Sequence, residues 1–99
     1  MSFIVFCTFD LKGASAQDYS NAYADLARLG LSRVHKNDGG GNTVIPTTAA
    51  MGEFNSANAA AARDDLRAKI RAAFVARGFR SEIFVIVGGQ DWGWGSATT

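Results

Sequence analysis

The first residue that could carry chemistry is Asp10, which lies at the end of the apolar stretch FIVFCTFDL, residues 3–11. A carboxylate placed where a buried strand ends could hold a divalent cation, because such ions take oxygen ligands and commonly keep several waters. Two copies meeting across a dimer axis would supply two such ligands. The other interpretation is that Asp10 ends the strand or caps the turn at Lys12 and Gly13, as aspartate often does.

Arginines spaced for one side of a helix form the second group of candidates. Arg63, Arg67 and Arg71 recur every four residues, which aligns them along the second predicted helix. Guanidinium groups can bind phosphates through paired hydrogen bonds, so this row and Arg33 on the second predicted strand are candidate nucleic-acid contacts. Aspartates stand among the helix arginines, so a solvated helix flank that binds nothing is the alternative.

The remaining candidates have weaker patterns. His35 is the only histidine, and it could exchange a proton near neutral pH or be an ordinary surface residue of a strand. Thr47 and Thr48 could bind a phosphate through their hydroxyls or serve as β-branched strand residues. Cys7 is the only cysteine, so it forms no disulfide within the chain, and its apolar neighbours predict a buried thiol. One cysteine and one histidine do not make a zinc site.

Length and composition predict one globular domain over residues 1–99. Hydrophobic residues make up 47% of the chain and charged residues 19%, which is typical of folded proteins. The formal net charge of +1 is far from that of a dedicated nucleic-acid binder, although a local basic patch can coexist with a neutral sum. Neither a leader segment nor a membrane-spanning run is recognisable, so we expect a cytoplasmic protein without membrane contact.

The elements that must position these residues follow in the order strand, helix, strand, strand, helix, strand. Strands are predicted at residues 3–9, 31–36, 47–54 and 81–87, with helices at 15–30 and 59–77. Small residues at 50 and 52 in the third strand predict a close approach by a helix or another backbone. The order predicts an α+β, ferredoxin-like βαββαβ sandwich, in which two helices cover one face of an antiparallel sheet.

The first and last predicted strands are apolar on both faces, yet the helices cover only one face. A monomer would therefore expose one alternate set of side chains, either Ile4, Phe6, Phe84 and Ile86 or their opposite neighbours. Exposed patches of this kind usually mark an interface, so we expect a homodimer through this face. Trp92 and Trp94, in a Gly/Trp-rich extension over residues 88–99, could join the dimer contact or stack on bases.

Two stretches resemble the small ferredoxin-like CRISPR-associated proteins of the spacer-acquisition complex and the related virulence-associated protein D family. FIVFCTFDL is similar to their first strand, which ends aromatic–Asp–aliphatic. LARLGLSRVHKN is similar to their first helix, ending in leucine and glycine, followed by a strand that opens on Arg-Val. The sequence departs from the pattern at His35-Lys36-Asn37, where the family usually has glutamine and an apolar close.

The resemblance implies a homodimer in which Asp10 binds a divalent metal, Mg²⁺ or Mn²⁺, and takes part in endonucleolytic cleavage of RNA or DNA. A metal-dependent endoribonuclease or nuclease is therefore the first functional hypothesis. The second is a non-catalytic homodimeric module that binds nucleic acid or protein. The third is a domain that binds a small ligand, and the fold alone does not choose among the three.

Overall fold

A computed structural model describes residues 1–99 and gives seven elements. In chain order these are β1 (Ser2–Leu11), α1 (Ala16–Arg28), β2 (Val34–Lys36), β3 (Asn42–Val44), β4 (Ala49–Asn55), α2 (Ala59–Ala76) and β5 (Ser81–Gly88). Strands β4, β1 and β5 form an antiparallel sheet in that order, with β1 in the centre. The predicted α+β, ferredoxin-like arrangement is confirmed.

The second strand differs most from the prediction. Residues 31–36 were expected to join the sheet, but only Ser32 bridges to Met51 of β4, while β2 pairs with β3 in a separate hairpin. The physical reason is the turn at Asn37, whose side-chain oxygen accepts the main-chain N–H groups of Gly39 and Gly41 at 3.0 and 3.2 Å. These bonds fold the chain back on itself, so the strand's partner is its own neighbour.

The helices begin and end where capping residues predict. Ser15 and Asp18 form a complete capping box on α1, with N–H to side-chain distances of 3.1 and 3.0 Å. Asn58 caps α2 by accepting the N–H of Ala61 at 2.8 Å. Beyond each helix stands a glycine with positive φ, Gly30 at 94° and Gly78 at 76°, in a conformation that stops a helix at little cost.

Both helices pack against the same face of the sheet, and the core lies between them. Val5, Cys7 and Phe9 of β1 point into this core and are buried. The ring of Phe9 lies 5.4 Å from the ring of Phe74 on α2 and 5.6 Å from that of Tyr23 on α1, so one central residue contacts both helices. Only 17 of the 99 residues are buried, because the other face of the sheet has no helix on it.

Candidate functional site

The uncovered face of the sheet carries an apolar surface formed by β1 and β5. Cross-strand partners point to the same side of a sheet, and the register pairs Phe6 with Ile86 and Thr8 with Phe84. Phe84 is 62% exposed and Ile86 56% exposed, whereas Ile4 and Phe6 are half-buried. Of the two alternate sets considered from the sequence, this is therefore the uncovered one. We call Ile4, Phe6, Thr8, Phe84 and Ile86 the open face.

β5, which carries Phe84 and Ile86, lies at one edge of the sheet. Strands that are apolar on both faces are expected to be central neighbours in a sheet. β1 and β5 are neighbours, but β5 is the edge strand of the three-stranded sheet, so only half of this expectation is confirmed. Its outer row of main-chain N–H and C=O groups therefore has no strand beside it. An edge next to exposed apolar side chains is a surface that another chain can use.

The residues after β5 turn back over one margin of the open face. Gly88 pairs with Ile4, and a Cβ added at Gly88 would lie 3.2 Å from Cβ of Trp92. The residues from Trp92 to Ser96 then line a groove with the turn of the β2–β3 hairpin. Both tryptophans remain partly exposed. The two tryptophans thus lie at the margin of the open face, leaving its centre at Phe84 and Ile86 uncovered.

Asp10 lies at the acidic end of the same face. Its cross-strand partner is Glu82, and both are exposed in an open depression that Thr8 and Thr48 also line. The side chain of Asp10 makes no hydrogen bond or ion pair, so it does not cap the following turn, whereas Glu82 lies 3.6 Å from the ammonium of Lys12. No group of three histidine, cysteine or carboxylate side chains that could hold a metal ion occurs in the chain. One chain thus offers two carboxylates here.

The helix arginines are partly neutralised by their own neighbours. Arg63 and Arg67 both donate to the carboxylate of Asp64, at 2.9 and 3.1 Å, and the pKa of Asp64 is lowered chiefly by the hydrogen bond from Arg63. Lys69 pairs with Asp65 at 3.0 Å. Arg71 alone in the row has no carboxylate partner. The arginines lie along one exposed flank as predicted, but two of the three carry a counter-charge already.

Arg33 has different surroundings from the helix arginines. Its guanidinium carbon lies 4.0 Å from the centre of the Tyr23 ring, a stacking contact between a cation and an aromatic face. The Tyr23 hydroxyl accepts the main-chain N–H of Thr48 at 2.6 Å. Thr47 and Thr48 form a turn before β4, which corrects the expectation that they belong to the strand. Thr48 has φ of 65°, the only non-glycine residue with positive φ.

Two further candidates take structural positions. Nε2 of His35 lies 2.7 Å from the carbonyl oxygen of Ser32, which can only accept, so this nitrogen is the donor. The bond connects β2 to the residues just before it. Cys7 is 1% exposed in the core, as predicted, and burial raises the pKa of its thiol to about 11. A thiol of that kind is a packing residue, because the thiolate is the reactive form.

The one buried charge of the core, Asp25, was not among the candidates predicted from the sequence. Asp25 accepts hydrogen bonds from Nε and Nη2 of Arg77, both at 2.9 Å, and from Arg28. The bond from Arg77 is the main cause that lowers the pKa of Asp25. The available signal was position, since Asp25 follows Ala22 by three residues on the apolar side of α1. It connects the C-terminal ends of the two helices, and with Arg28 and Arg77 it lines an open depression there.

No protein-family model matches the chain, and neither a curated protein nor a solved structure is significantly similar to it. The resemblance to the CRISPR-associated and virulence-associated protein D families therefore stays a prediction. Neither α1 nor α2 is long and apolar enough to cross a membrane.

Proposed function

We propose that the chain works as a homodimeric binding module whose two copies meet through the open face. The observation that carries this proposal is the exposure of Phe84 and Ile86 beside Phe6 on a sheet face that no helix covers. Burying apolar surface contributes about 25 cal/mol per Å², and a large side chain gains roughly 1.5–3 kcal/mol when fully buried. Because the core of this chain is small, covering the open face with a second layer would add substantially to the stability of the folded protein.

A second copy suits this face because its charges lie at its two ends, Glu53 beside Ile4 and Asp10 beside Glu82, and its centre is uncharged. Asp10 and Glu82 are placed together beyond Phe84, while the central pair of Phe6 and Ile86 is apolar. A twofold axis through that centre sets like apolar side chains against one another, in the self-complementary contact that most homodimers use. The partly exposed Trp92 and Trp94 then lie at the rim, where tryptophan is favoured because it is apolar with one polar group.

The test is the mass in solution of the wild-type protein and two matched charge variants. Phe84→Glu places a carboxylate in the centre of the proposed contact and should shift the protein from dimer to monomer in analytical ultracentrifugation. Val75→Glu changes a side chain of similar exposure, 57%, on α2 and should leave the dimer intact. A wild-type protein that sediments as a monomer at high concentration, or a Phe84→Glu variant that remains dimeric, would refute the proposal.

A metal-dependent endonuclease is the second candidate, and the observation that favours it is the free carboxylate of Asp10 beside Glu82. Divalent ions such as Mg²⁺ or Mn²⁺ take oxygen ligands, so these side chains are of a suitable type. Two carboxylates from one chain leave most positions to water, and dimerisation would bring a second Asp10 to the same face. When bound, such an ion can activate water and stabilise charge on a phosphate. The arginines of α2 could then contact the nucleic-acid backbone.

The nuclease candidate is tested with RNA and DNA substrates in the presence of Mg²⁺, Mn²⁺ or a chelator. Cleavage should require the metal and disappear in Asp10→Asn, while ultracentrifugation shows an unchanged dimer. Asp91→Asn, in the segment after β5, is the matched control and should cleave normally. If the purified dimer leaves both substrates intact, or cleaves them equally well without Asp10, this candidate is excluded and the binding module remains.

A further inference from the structure

Arg33, which lies between α1 and β2, is a cation without a counter-charge. No carboxylate lies within ion-pairing distance of Arg33, whereas Arg63, Arg67, Arg28 and Arg77 all have one. Its Nε is the only buried side-chain nitrogen or oxygen in the protein that has no hydrogen-bond partner. Burying a donor without an acceptor is costly, and native proteins seldom leave one in that state without a reason.

The stacking contact holds this cation in place. The guanidinium lies 4.0 Å from the centre of the Tyr23 ring, and Tyr23 is itself fixed through its hydroxyl by the main-chain N–H of Thr48. Because the hydroxyl oxygen accepts that bond, the hydroxyl proton is free to be donated, and it has no acceptor in the chain. A planar guanidinium fixed on an aromatic ring loses little freedom when a ligand binds, which favours recognition.

The turn that completes this surface is strained. Thr48 is β-branched and has φ of 65°, a conformation in which such residues are rarely found. Strain of this kind is concentrated at ligand-binding positions. Here the strained residue is the one that directs its N–H to the Tyr23 hydroxyl. The exposed hydroxyl-bearing residue Thr47 precedes it.

We propose that Arg33, Tyr23 and the Thr47–Thr48 turn form a binding site for a phosphate group. The Arg33 guanidinium and the Tyr23 hydroxyl offer donors that have no acceptor in the chain, and Arg33 has no counter-charge, so this pair suits a ligand that accepts hydrogen bonds and carries negative charge. Phosphate oxygens meet both requirements, and they would bind the terminal nitrogens of the guanidinium, because its Nε is itself buried and serves here to report on binding. The phosphate could belong to a small phosphorylated molecule or to a nucleic-acid backbone. Arg33 is stacked on Tyr23 of α1, while Thr48 also lines the depression that holds Asp10 and Glu82. The proposal goes beyond the dimer through the open face and does not depend on it.

The test follows the ¹H–¹⁵N signals of the Arg33 Nε–H and the Thr48 amide in the full-length protein. The two probes are inorganic phosphate, compared with chloride at equal ionic strength, and a short single-stranded RNA oligonucleotide. We expect at least one probe to shift both signals in a saturable way. A response to phosphate indicates a small phosphorylated ligand, and a response to the oligonucleotide alone indicates a phosphodiester backbone.

Variants distinguish a site from general charge attraction. Arg33→Gln should weaken binding about tenfold or more, since hydrogen bonds to a charged group are being removed. Arg80→Gln removes an equally unpaired but exposed arginine and should leave binding unchanged. Tyr23→Phe keeps the stacking ring and loses the hydroxyl, so it should weaken binding severalfold even if Arg33→Gln proves poorly folded. The proposal fails if neither probe moves the Arg33 signal, or if Arg80→Gln weakens binding as much as Arg33→Gln does.

Discussion

Gly52 of β4 lies directly against the main chain of Gly30, the residue that ends the first helical segment. A Cβ atom built on Gly52 would overlap the carbonyl oxygen of Gly30, and the ring of Phe54 lies close to both glycines. The adjacent pair of bonds between Ser32 and Met51, at 2.9 and 3.0 Å, holds the two chain segments at this spacing. The close approach is therefore what lets the chain after α1 run beside β4.

We expect Gly52→Ala to destabilise the protein by about 1–3 kcal/mol, because overpacking against backbone can be relieved only by moving a segment. Urea denaturation followed by circular dichroism measures the change. Gly89→Ala is the matched control, since a Cβ there meets no atom within 4 Å, and it should change stability by no more than about 0.5 kcal/mol. Equal stability of the two variants would show that the Gly30–Gly52 contact is not tight in solution.

Local signals in the sequence predicted the elements well, because each depends on residues close together in the chain. Ser15 with Asp18 predicted the start of α1. The alternation of Ala50, Gly52 and Phe54 predicted a strand closely approached by a helix or another backbone, and the backbone at Gly30 is what lies there. The expectation that residues 31–36 join the sheet was wrong, because the turn in which Gly39 and Gly41 donate to the Asn37 side chain pairs β2 with β3. A periodic pattern does not reveal whether such a turn closes a hairpin or continues to the next strand.

The candidate site was predictable only in part, for a related reason. The open face could be predicted because two strands are apolar on both faces while the two helices cover only one face of the sheet. This reasoning requires no knowledge of which side chains are in contact. The contacts of Asp25 with Arg77, 52 residues away, and of Arg33 with Tyr23 and Thr48 depend on how α1 sits beside distant segments. Long-range side-chain pairs leave no spacing pattern, so the residue types were visible while their partners were not.

The buried thiol of Cys7 should resist modification in the folded protein. With its pKa raised to about 11 by burial, the thiolate at about pH 8 is scarce compared with that of a free cysteine, whose pKa is about 8.5. Labelling with a thiol-reactive disulfide should be about a hundredfold slower in buffer than in denaturant, and slower still where the reagent cannot reach the core. Rapid stoichiometric labelling of the native protein would contradict the burial of β1 described above.

Thr48→Gly should stabilise the protein by about 1 kcal/mol. The substitution relieves the strain at positive φ, about 1–3 kcal/mol, and this gain is offset in part by the greater freedom of glycine in the unfolded chain. The bond to Tyr23 is kept because it uses the main-chain N–H. Thr47→Gly, where no positive φ is present, should instead lower the denaturation midpoint. A loss of stability in Thr48→Gly would mean that the turn is not strained.

Asp25 should make the protein less stable in acid. Its folded-state pKa is lowered, chiefly by the hydrogen bond from Arg77, so the folded protein binds fewer protons at this site than the unfolded chain does. The stabilisation is therefore fully present above the unfolded pKa, about 3.9, and is lost as the pH falls through the lower folded value. The Asp25 side chain is only 8% exposed, so at neutral pH this cluster stabilises the folded protein more than an exposed ion pair would.

Asp25→Asn tests this directly. At neutral pH the variant should be less stable by about 1–3 kcal/mol, since it leaves the partly exposed Arg77 without its counter-charge. The difference from wild type should shrink as the pH is lowered below about 4, because the Asp25 carboxylate is then protonated first in the unfolded chain and at lower pH in the folded protein, whereas the amide of the variant does not titrate. Asp65→Asn, which breaks an exposed pair with Lys69, should have little effect at any pH. The difference in unfolding free energy between wild type and Asp25→Asn could instead stay constant from neutral pH into acid. In that case the lost stability would come from packing, and the carboxylate charge would contribute nothing.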